Sequence, residues 1–231
     1  MSYTIFISGA NRGLGLEFTR QFLQAGNNVI ASCRRPKQAQ ALQDLQREYT
    51  DTLQIVALDM LDVQAIEHIA TAISTPIDIL LLNAGIAGNS GVTIGNVEHS
   101  NMQRVFNTNS FAPVMLADAL LPKIAQGRKK LIIAISSKMG SIDDDRSGRG
   151  YAYRGSKAAL NAMMVAMSID VAAQDVKILL LHPGWVRTDM TRHNGLIDAQ
   201  TSVKGLRDII ANADHYNTGQ FLDYQGKPIP W

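Results

Sequence analysis

Short apolar runs alternate with longer amphipathic segments along almost the whole chain. Seven runs have strand length and are rich in Ile, Leu and Val at successive positions, which is typical of strands covered on both faces of a parallel sheet. The predicted strands are Tyr3–Ser8, Asn28–Cys33, Leu53–Ala57, Ile77–Leu82, Lys130–Ser136, Lys177–Leu181 and Gly219–Tyr224.

The segments between these strands have helix length. The first predicted helix opens after Gly13, continues over Leu16–Ala25 and has Gly26 as its C-cap. The other predicted helices are Pro36–Tyr49, Val63–Ala72, Glu98–Leu121, Tyr153–Gln174 and Ser202–Ala211. The alternation predicts a single-domain, doubly wound (Rossmann-type) α/β fold over residues 1–231, with a mostly parallel sheet of about seven strands and helices on both faces.

Two polar stretches, Gly85–Asn96 and Ser141–Gly150, interrupt this pattern. Both follow the carboxyl ends of predicted strands, where open α/β sheets bind their ligands. The second stretch carries the aspartates 143–145, and the simplest interpretation of these is a solvated loop. The sequence therefore directs attention to one edge of the sheet.

Composition excludes several classes of protein. The formal net charge of +2, without a basic run, argues against binding to nucleic acid or to an acidic membrane surface. The start of the chain lacks the features of a signal peptide or a membrane span. Cys33 is the only cysteine, so no internal disulfide forms, and the histidines show no metal-ligand spacing. We expect a cytoplasmic protein without a metal.

A glycine-rich turn, Gly9-x-x-x-Gly13-x-Gly15, follows the first strand and opens the first helix. Glycines let a chain turn tightly and bring its backbone close to a ligand. Backbone N–H groups at the start of a helix, together with the helix dipole, favour an anion. In this position the motif predicts a dinucleotide site, although glycines also occur in ordinary turns.

The end of the second strand indicates which nucleotide is bound. Sites for NAD usually carry an acidic residue there, whereas this strand ends with Cys33-Arg34-Arg35. Arginine suits the 2′-phosphate of NADP(H), and Arg12 in the glycine turn could reach the same group. The alternative is that Arg34 and Arg35 only cover the start of a helix, where an acidic residue would be favoured instead. We therefore predict NADP(H).

Tyr153 and Lys157 are four residues apart and share one face of a predicted helix. An ammonium group favours a neighbouring phenolate and so lowers the tyrosine pKa toward the range of a general acid. Taken alone, such a pair is usually an ordinary amphipathic helix face.

Several short motifs occur in one order with matching spacings. They are Gly9-x-x-x-Gly13-x-Gly15, Asn83-Ala84-Gly85, Asn109, Ser136-Ser137, Tyr153-x-x-x-Lys157 and Pro183-Gly184. In this combination the chain resembles the short-chain dehydrogenase/reductase family over essentially its whole length. Within that family it is similar to the short C-factor and sniffer-type carbonyl reductases.

The resemblance implies a catalytic role for four residues. Tyr153 would exchange a proton with the substrate oxygen, and Lys157 would bind the nicotinamide ribose and lower the tyrosine pKa. Ser137 would hold the substrate oxygen, with Ser136 as the less favoured candidate. Asn109 would support a proton-relay water.

The resemblance also implies a set of cofactor contacts. The segment 83–85 would lie against the adenosine ribose, Asp59 against adenine, and the segment 183–188 against the carboxamide. The predicted cofactor-binding residues are Gly9, Asn11, Arg12, Gly13, Leu14, Gly15, Arg34, Asp59, Met60, Asn83, Ala84, Gly85, Tyr153, Lys157, Pro183, Gly184, Val186 and Thr188.

The expected activity is NADP(H)-dependent interconversion of a carbonyl and an alcohol, with a small aldehyde or ketone as the substrate. A short segment, Asp189–Gln200, separates Thr188 from the next helix and indicates an open site. The alternative is an NADP-binding regulatory or signalling protein with little turnover. Family members commonly form homodimers or homotetramers through their long helices, here Glu98–Leu121 and Tyr153–Gln174, and we expect the same.

Overall fold

A computed structural model describes residues 2–231, in which seven strands form one parallel sheet. The order of the strands is β3-β2-β1-β4-β5-β6-β7. The chain adds strands first on one side of β1 and then on the other, so the strand order reverses between β1 and β4, as in a doubly wound fold. The strands are β1 (Thr4–Ser8), β2 (Asn28–Cys33), β3 (Leu53–Ala57), β4 (Ile79–Leu82), β5 (Leu131–Ile135), β6 (Lys177–His182) and β7 (Phe221–Asp223). The predicted fold class is confirmed.

Seven α-helices cover the two faces of this sheet. They are α1 (Gly13–Gln24), α2 (Gln40–Glu48), α3 (Val63–His68), α4 (His99–Phe106), α5 (Ala112–Ala125), α6 (Tyr151–Asp170) and α7 (Ala199–Ala211). Helices α1, α2 and α7 pack into one apolar cluster, and α3, α5 and α6 pack into a second cluster on the opposite face.

The central strands explain the apolar runs in the sequence. In β1, Ile5 and Ile7 belong to one cluster whereas Phe6, between them, belongs to the other, and all three are fully buried. Since successive side chains of a strand point to opposite faces, a strand covered on both sides must be apolar at every position. The two layers of helices therefore follow directly from the sequence.

The long helix predicted over Glu98–Leu121 is not continuous. Helix α4 ends at Phe106, a π-helical stretch spans Asn107–Phe111, and α5 continues to Ala125. Pro113 has no N–H to donate to the carbonyl of Asn109, as an uninterrupted α-helix would require. Ala112 N–H bonds instead to Asn107 O, five residues earlier. The proline thus follows a π-helical turn that contains Asn109, the residue predicted to take part in catalysis.

Several other predicted boundaries differ from the structure by one to four residues. The segment predicted as Pro36–Tyr49 begins with a 3-10 turn over Pro36–Gln38, and α2 itself begins at Gln40. Helix α6 starts at Tyr151, two residues early, and α7 starts at Ala199, where the Asp198 side chain accepts a hydrogen bond from Thr201 N. Within residues 2–231, no helix is both long and apolar enough to cross a membrane.

Candidate active site

The glycine turn after β1 packs closely against the loop that follows β4. Gly9 has φ +68°, and a Cβ atom there would lie 2.9 Å from Ala84 Cα. A Cβ atom at Gly15 would lie 2.2 Å from Gly9 O and 2.6 Å from Asn83 Nδ2. Any larger residue at either position would force the turn apart, so the glycines keep this backbone compact.

The start of α1 has no side chain that caps it. Arg12 occupies the N-cap position, and its side chain accepts nothing from the first helical N–H groups. The first N–H groups of a helix have no partner within the helix and carry its positive dipole end. The backbone of Gly13, Leu14 and Gly15 is therefore available to an anion, and the exposed Asn11 lies just before it.

The loop after β4 is tied to this turn through Ser8 and Asn83. Ser8 Oγ accepts hydrogen bonds from Asn83 N at 3.0 Å and Ala84 N at 3.1 Å. Asn83 Nδ2 donates in return to Ser8 O at 3.0 Å and to Gly9 O at 3.1 Å. The segment 83–85 and the glycine turn are therefore fixed to each other at the point where the strand order reverses.

The two arginines predicted to contact a 2′-phosphate are in different states. Arg34 is exposed directly after β2, and it makes no ion pair with any group in residues 2–231. Arg12 Nη1 lies 3.1 Å from Asp189 Oδ2, so this arginine already has a carboxylate partner. No motif or spacing in the sequence indicates that competing pair.

The acidic residue predicted to contact adenine has a local partner. Asp59 follows β3 and accepts a hydrogen bond from Leu61 N at 3.0 Å, which shapes the turn into α3. Met60, beside it, is buried. The aspartate is half-buried at the same edge of the sheet as Arg34.

Ser137 and Tyr153 come together although they lie on different elements. Ser137 follows β5, is buried, and accepts a hydrogen bond from Met139 N at 3.2 Å. Tyr153 lies in the first turn of α6 and is half-buried. Burial raises the pKa of Tyr153, and a side-chain hydrogen bond with Ser137 lowers it in part. Ser136 faces away, with its hydroxyl 2.5 Å from Asn161 Oδ1.

Lys157 lies one turn after Tyr153 on α6 and is almost fully buried. Its Nζ donates to Ile135 O at 2.8 Å and lies 6.0 Å from the centroid of the Tyr153 ring. Desolvation lowers the pKa of Lys157 to about 8. In the protein alone, burial sets the direction of the change in the Tyr153 pKa, so the downward shift expected from the lysine is not the dominant effect.

Asn109 joins the loop after β4 to helix α6. Its Oδ1 accepts from Ile86 N at 2.8 Å, and its Nδ2 donates to Ile86 O at 2.9 Å and to Ser156 Oγ at 3.0 Å. Both Asn109 Oδ1 and Lys157 Nζ lie within 3.7 Å of the place that a Cβ atom on Gly85 would take. Asn109 is thus a fully buried link beside the lysine.

The segment after β6 folds back on itself toward the glycine turn. Ser202 Oγ donates to Pro183 O at 2.6 Å, and Gly184 adopts φ +84°. Val186 is buried and pairs with Ile197, while the Thr188 methyl lies 3.7 Å from where a Cβ atom on Gly13 would be. The short segment after Thr188 is therefore folded, with a 3-10 turn over Asp189–Thr191.

His182 lies at the end of β6, and its imidazole lacks a complete set of hydrogen bonds. Its Nδ1 is buried and has no hydrogen-bond partner among residues 2–231. Desolvation lowers the pKa of His182 to about 4, against a smaller upward effect of Asp223. Lys138 and Asp144 act on it from the loop after β5.

Sequence reasoning missed two residues that build the site. Gly140 lies against α6, where a Cβ atom would be 2.8 Å from Lys157 C, and Ser156 connects Asn109 to that helix. Gly140 could have been recognised from the sequence, because it stands three residues after the predicted catalytic residue Ser137. Ser156 could not have been recognised, because a serine within a helix is common and indicates no particular role.

Three features define a doubly wound α/β protein of the dinucleotide-binding class. They are the sheet order, the glycine turn at the point where that order reverses, and the cluster of Ser137, Tyr153 and Lys157 at the carboxyl edge. No group of His, Cys, Asp or Glu within residues 2–231 is arranged to hold a metal ion.

Comparison with known proteins identifies the family. Residues 3–196 match the family model for short chain dehydrogenase, and the chain belongs to that family. It is 39% identical to the C-signal of Myxococcus xanthus over 163 residues, which are 70% of this chain and 98% of that protein.

Two solved structures share the fold over the whole chain. The carbonyl reductase Sniffer of D. melanogaster is 31% identical with a TM-score of 0.92, and each chain is covered completely. The NADPH-bound carbonyl reductase from chicken fatty liver is 33% identical with a TM-score of 0.90, covering 100% of this chain and 99% of that one. The resemblance predicted from the motifs, including its C-factor and sniffer-like relatives, is confirmed.

Proposed function

We propose that this chain is an NADP(H)-dependent oxidoreductase that interconverts a carbonyl and an alcohol, and that residues 1–231 form its single catalytic domain. The observation that carries the proposal is the cluster that Tyr153 forms with the buried Ser137 and with the buried ammonium of Lys157, whose Nζ lies 6.0 Å from the centroid of the tyrosine ring. These hydroxyl groups converge from different elements, and a protein that only bound a nucleotide would not need them.

The glycine turn and the loops beside it fit a dinucleotide. The uncapped N-terminus of α1 would hold the pyrophosphate, and the small residues Gly9 and Gly15 let the backbone approach it. Arg34, exposed after β2 where an NAD site would carry an acid, would pair with a 2′-phosphate. Two relatives support this assignment, since the chicken enzyme and a short-chain dehydrogenase from Burkholderia multivorans are solved with NADPH and NADP bound.

Other residues would hold the remaining parts of the cofactor. The segment 83–85 and Lys157 would meet the two riboses, with Asp59 and Met60 beside the adenine. The segment Pro183–Val186 and Thr188 would orient the nicotinamide, since Ser202 fixes the carbonyl of Pro183. When bound, the cofactor supplies or accepts the hydride.

The residues of this chain would manage the proton and the charge. In the direction of reduction, the Tyr153 hydroxyl gives its proton to the substrate oxygen as the carbonyl carbon gains a hydride. The Ser137 hydroxyl donates a hydrogen bond to the same oxygen and stabilises its developing charge. A raised tyrosine pKa keeps this group protonated at neutral pH, which suits an acid.

Lys157 and Asn109 would support that proton transfer. The lysine, with a pKa of about 8, is mostly protonated at neutral pH, and its charge favours the phenolate that remains. Asn109 holds Ser156 and Ile86, which fixes α6 against the loop after β4. We assign it the support of a proton-relay water, because Pro113 removes the α-helical partner of its carbonyl.

A turnover assay with a matched variant tests the function. We expect NADPH oxidation with an aldehyde or ketone, and we expect Tyr153→Phe to abolish it while the Kd for NADPH stays the same. The variant removes one oxygen and leaves the ring, so the fold is retained. Turnover that persists in Tyr153→Phe would contradict the mechanism.

The identity to the C-signal favours a second candidate, a nucleotide-binding signalling protein with little turnover. That candidate predicts tight NADPH binding by the wild-type chain with no oxidation across a broad panel of carbonyl compounds. The same assay therefore separates the two functions.

We also propose a homo-oligomer that assembles in the cytoplasm through the long helices. Two large apolar side chains on these helices are solvent-exposed, namely Phe111 at 45% and Ile169 at 72%. Sedimentation velocity of the wild-type chain and of Phe111→Ser checks this, because the variant should shift the distribution toward a monomer.

A further inference from the structure

Trp231 lies against the loop that connects the two proposed catalytic hydroxyls. Its main-chain oxygen accepts hydrogen bonds from Ile142 N at 2.8 Å, Asp143 N at 2.9 Å and Ser141 Oγ at 3.1 Å. Successive backbone N–H groups that converge on one oxygen form a concave site for negative charge. Three donors of the loop therefore meet a single oxygen of the segment that follows β7.

The indole ring of Trp231 is anchored to the sheet. It stacks on Phe221 with 5.6 Å between the ring centroids and 20° between their planes. Phe221 is buried in β7, and its carbonyl accepts a hydrogen bond from Ile229 N at 2.9 Å. The main-chain oxygen of Trp231 is therefore held in place by the rigid edge of the sheet.

The loop itself, residues 141–150, has little apolar packing of its own. Ile142 is 79% exposed, and the loop contributes ion pairs from Asp144 to Lys138 at 2.9 Å and from Asp145 to Arg154 at 3.3 Å. The first pair is exposed and contributes little to stability, whereas the second is more buried, with 16% and 31% of its side chains accessible. Asp145 Oδ1 also accepts hydrogen bonds from Ser147 N and Gly148 N, so the end of the loop is held from within, whereas the N–H groups of Ile142 and Asp143 at its start bond to Trp231.

The end of the loop also adopts an unfavourable backbone conformation. Gly148, Arg149 and Gly150 all have φ +61°, and Gly150 is the N-cap of the helix that carries Tyr153. The left-handed region costs energy for a residue with a side chain, as at Arg149, and persists only where the surroundings enforce it. A change at the start of the loop would therefore be transmitted to the first turn of α6.

We propose that Trp231 is a positioning residue for carbonyl–alcohol interconversion, an inference that rests on the proposed function. By holding residues 141–143, it fixes the connection between Ser137 and Tyr153, so that both hydroxyls face the same substrate oxygen. It does not touch the reacting atoms, and the glycine turn that would bind the cofactor lies on the other side of the sheet centre, between β1 and β4.

The experiment compares Trp231→Ala with Trp231→Phe, since both keep the main-chain oxygen and only the second keeps an aromatic ring to stack on Phe221. For Trp231→Ala we expect kcat/KM for a carbonyl substrate to fall about tenfold to a hundredfold. The Kd for NADPH should stay as in the wild type, and Trp231→Phe should recover most of the activity.

Limited trypsin digestion gives a readout that does not depend on turnover. Arg146 and Arg149 lie in the loop, so cleavage there should be faster in Trp231→Ala than in the wild type or in Trp231→Phe. Ile124→Val is the matched control, because it removes a methyl group from the core of α5 and lowers the Tm without touching the loop. We expect it to leave loop cleavage and kcat/KM as in the wild type.

The outcomes separate the two proposals. A wild-type chain that turns over no carbonyl substrate would overturn the proposed function. If the wild type is active and Trp231→Ala matches it in both kcat/KM and loop cleavage, only the positioning role is overturned. The same applies if Ile124→Val reproduces both effects, because loss of stability alone would then account for them.

Discussion

Arg12 Nη1 lies 3.1 Å from Asp189 Oδ2, which joins the glycine turn after β1 to the folded segment after β6. Both side chains are exposed, with 66% and 59% of their surface accessible, so the pair contributes little to stability. Its significance is functional, because Arg12 cannot keep this partner unchanged if it also binds the 2′-phosphate of NADP(H).

Asp189→Asn should therefore strengthen NADPH binding. An exposed ion pair is worth up to about 1 kcal/mol, so releasing Arg12 should lower the Kd for NADPH by about fivefold or less. The Kd for NADH, which has no 2′-phosphate, should hardly change, and titration of both nucleotides measures the difference. Asp170→Asn, the same change at the far end of α6, is the control. Weaker NADPH binding in Asp189→Asn would mean that the aspartate helps to place Arg12.

Arg34→Ala should weaken NADPH binding selectively. Hydrogen bonds to charged groups contribute about 1.5–3 kcal/mol, so the KM for NADPH should rise about tenfold to a hundredfold while the KM for NADH changes little. Arg35→Ala is the matched control, since Arg35 lies 3.5 Å from Gln38 Oε1 and has a partner on the surface. Equal effects on the two nucleotides would remove Arg34 from the 2′-phosphate site.

Much of the fold was predictable because buried parallel strands have a simple sequence signal. The bounds of β2 and β3 agree with the prediction at every residue, although β3 lies at the edge of the sheet and is only partly buried. The π-helical stretch at Asn109 was not predicted, although Pro113 could have indicated it. The Arg12–Asp189 pair was out of reach, because its residues are 177 positions apart and their spacing carries no pattern.

The proposed catalytic cluster was predictable only as a combination. Tyr153 and Lys157 have a meaningful spacing on a helix, but nothing local places Ser137 beside them. What brings them together is the close packing of Gly140 on α6, and the sequence shows a glycine without showing its neighbour.

Gly140→Ala should therefore damage both stability and activity. The added Cβ would lie 2.8 Å from Lys157 C and 2.9 Å from Lys157 Cβ, so α6 would have to move away from the loop after β5. Overpacking of this kind costs about 1–3 kcal/mol in the free energy of unfolding. Because Lys157 itself would move, kcat/KM should fall more than the loss of stability explains.

The control for that variant is Gly26→Ala. Gly26 has φ +76° with open space around its Cα, so alanine there costs about 1 kcal/mol through backbone strain alone. Urea unfolding and steady-state kinetics on both variants provide the comparison. Unchanged kcat/KM in Gly140→Ala would show that α6 does not need this close contact.

Deprotonation of Lys157 should reduce the activity at alkaline pH. Burial disfavours its ammonium and lowers its pKa to about 8, so the charge is present below that pH and is lost as the pH rises through it. The kcat/KM for reduction should fall over the same range, since this quantity reports the free enzyme. Burial raises the pKa of Tyr153, so the tyrosine does not account for this limb.

Lys157→Arg separates the lysine from other groups. Arginine stays protonated throughout the accessible range, so the variant should lose the decline near pH 8 even though its overall activity is lower. Profiles of kcat/KM between neutral and alkaline pH measure this. The same decline in both proteins would assign it to another group.

His182 should make the protein less stable in mild acid. Its pKa is lowered from 6.5 to about 4 by burial, so between these values the unfolded chain takes up a proton that the folded protein does not. The free energy of unfolding must therefore decrease as the pH falls from about 6.5 to about 4, by up to about 3 kcal/mol from this one group.

His182→Gln should flatten that part of the stability profile, because glutamine stays neutral at every pH in the range. The charged groups that face His182 are Asp223 on β7 and Lys138 and Asp144 in the loop after β5, and they are the same in both proteins. His215→Gln, a change at an exposed histidine, controls for the general effect of losing an imidazole. Urea unfolding from pH 7 to pH 4 measures the slopes. If His182→Gln loses stability as steeply as the wild type, the buried imidazole is not the source of the acid sensitivity.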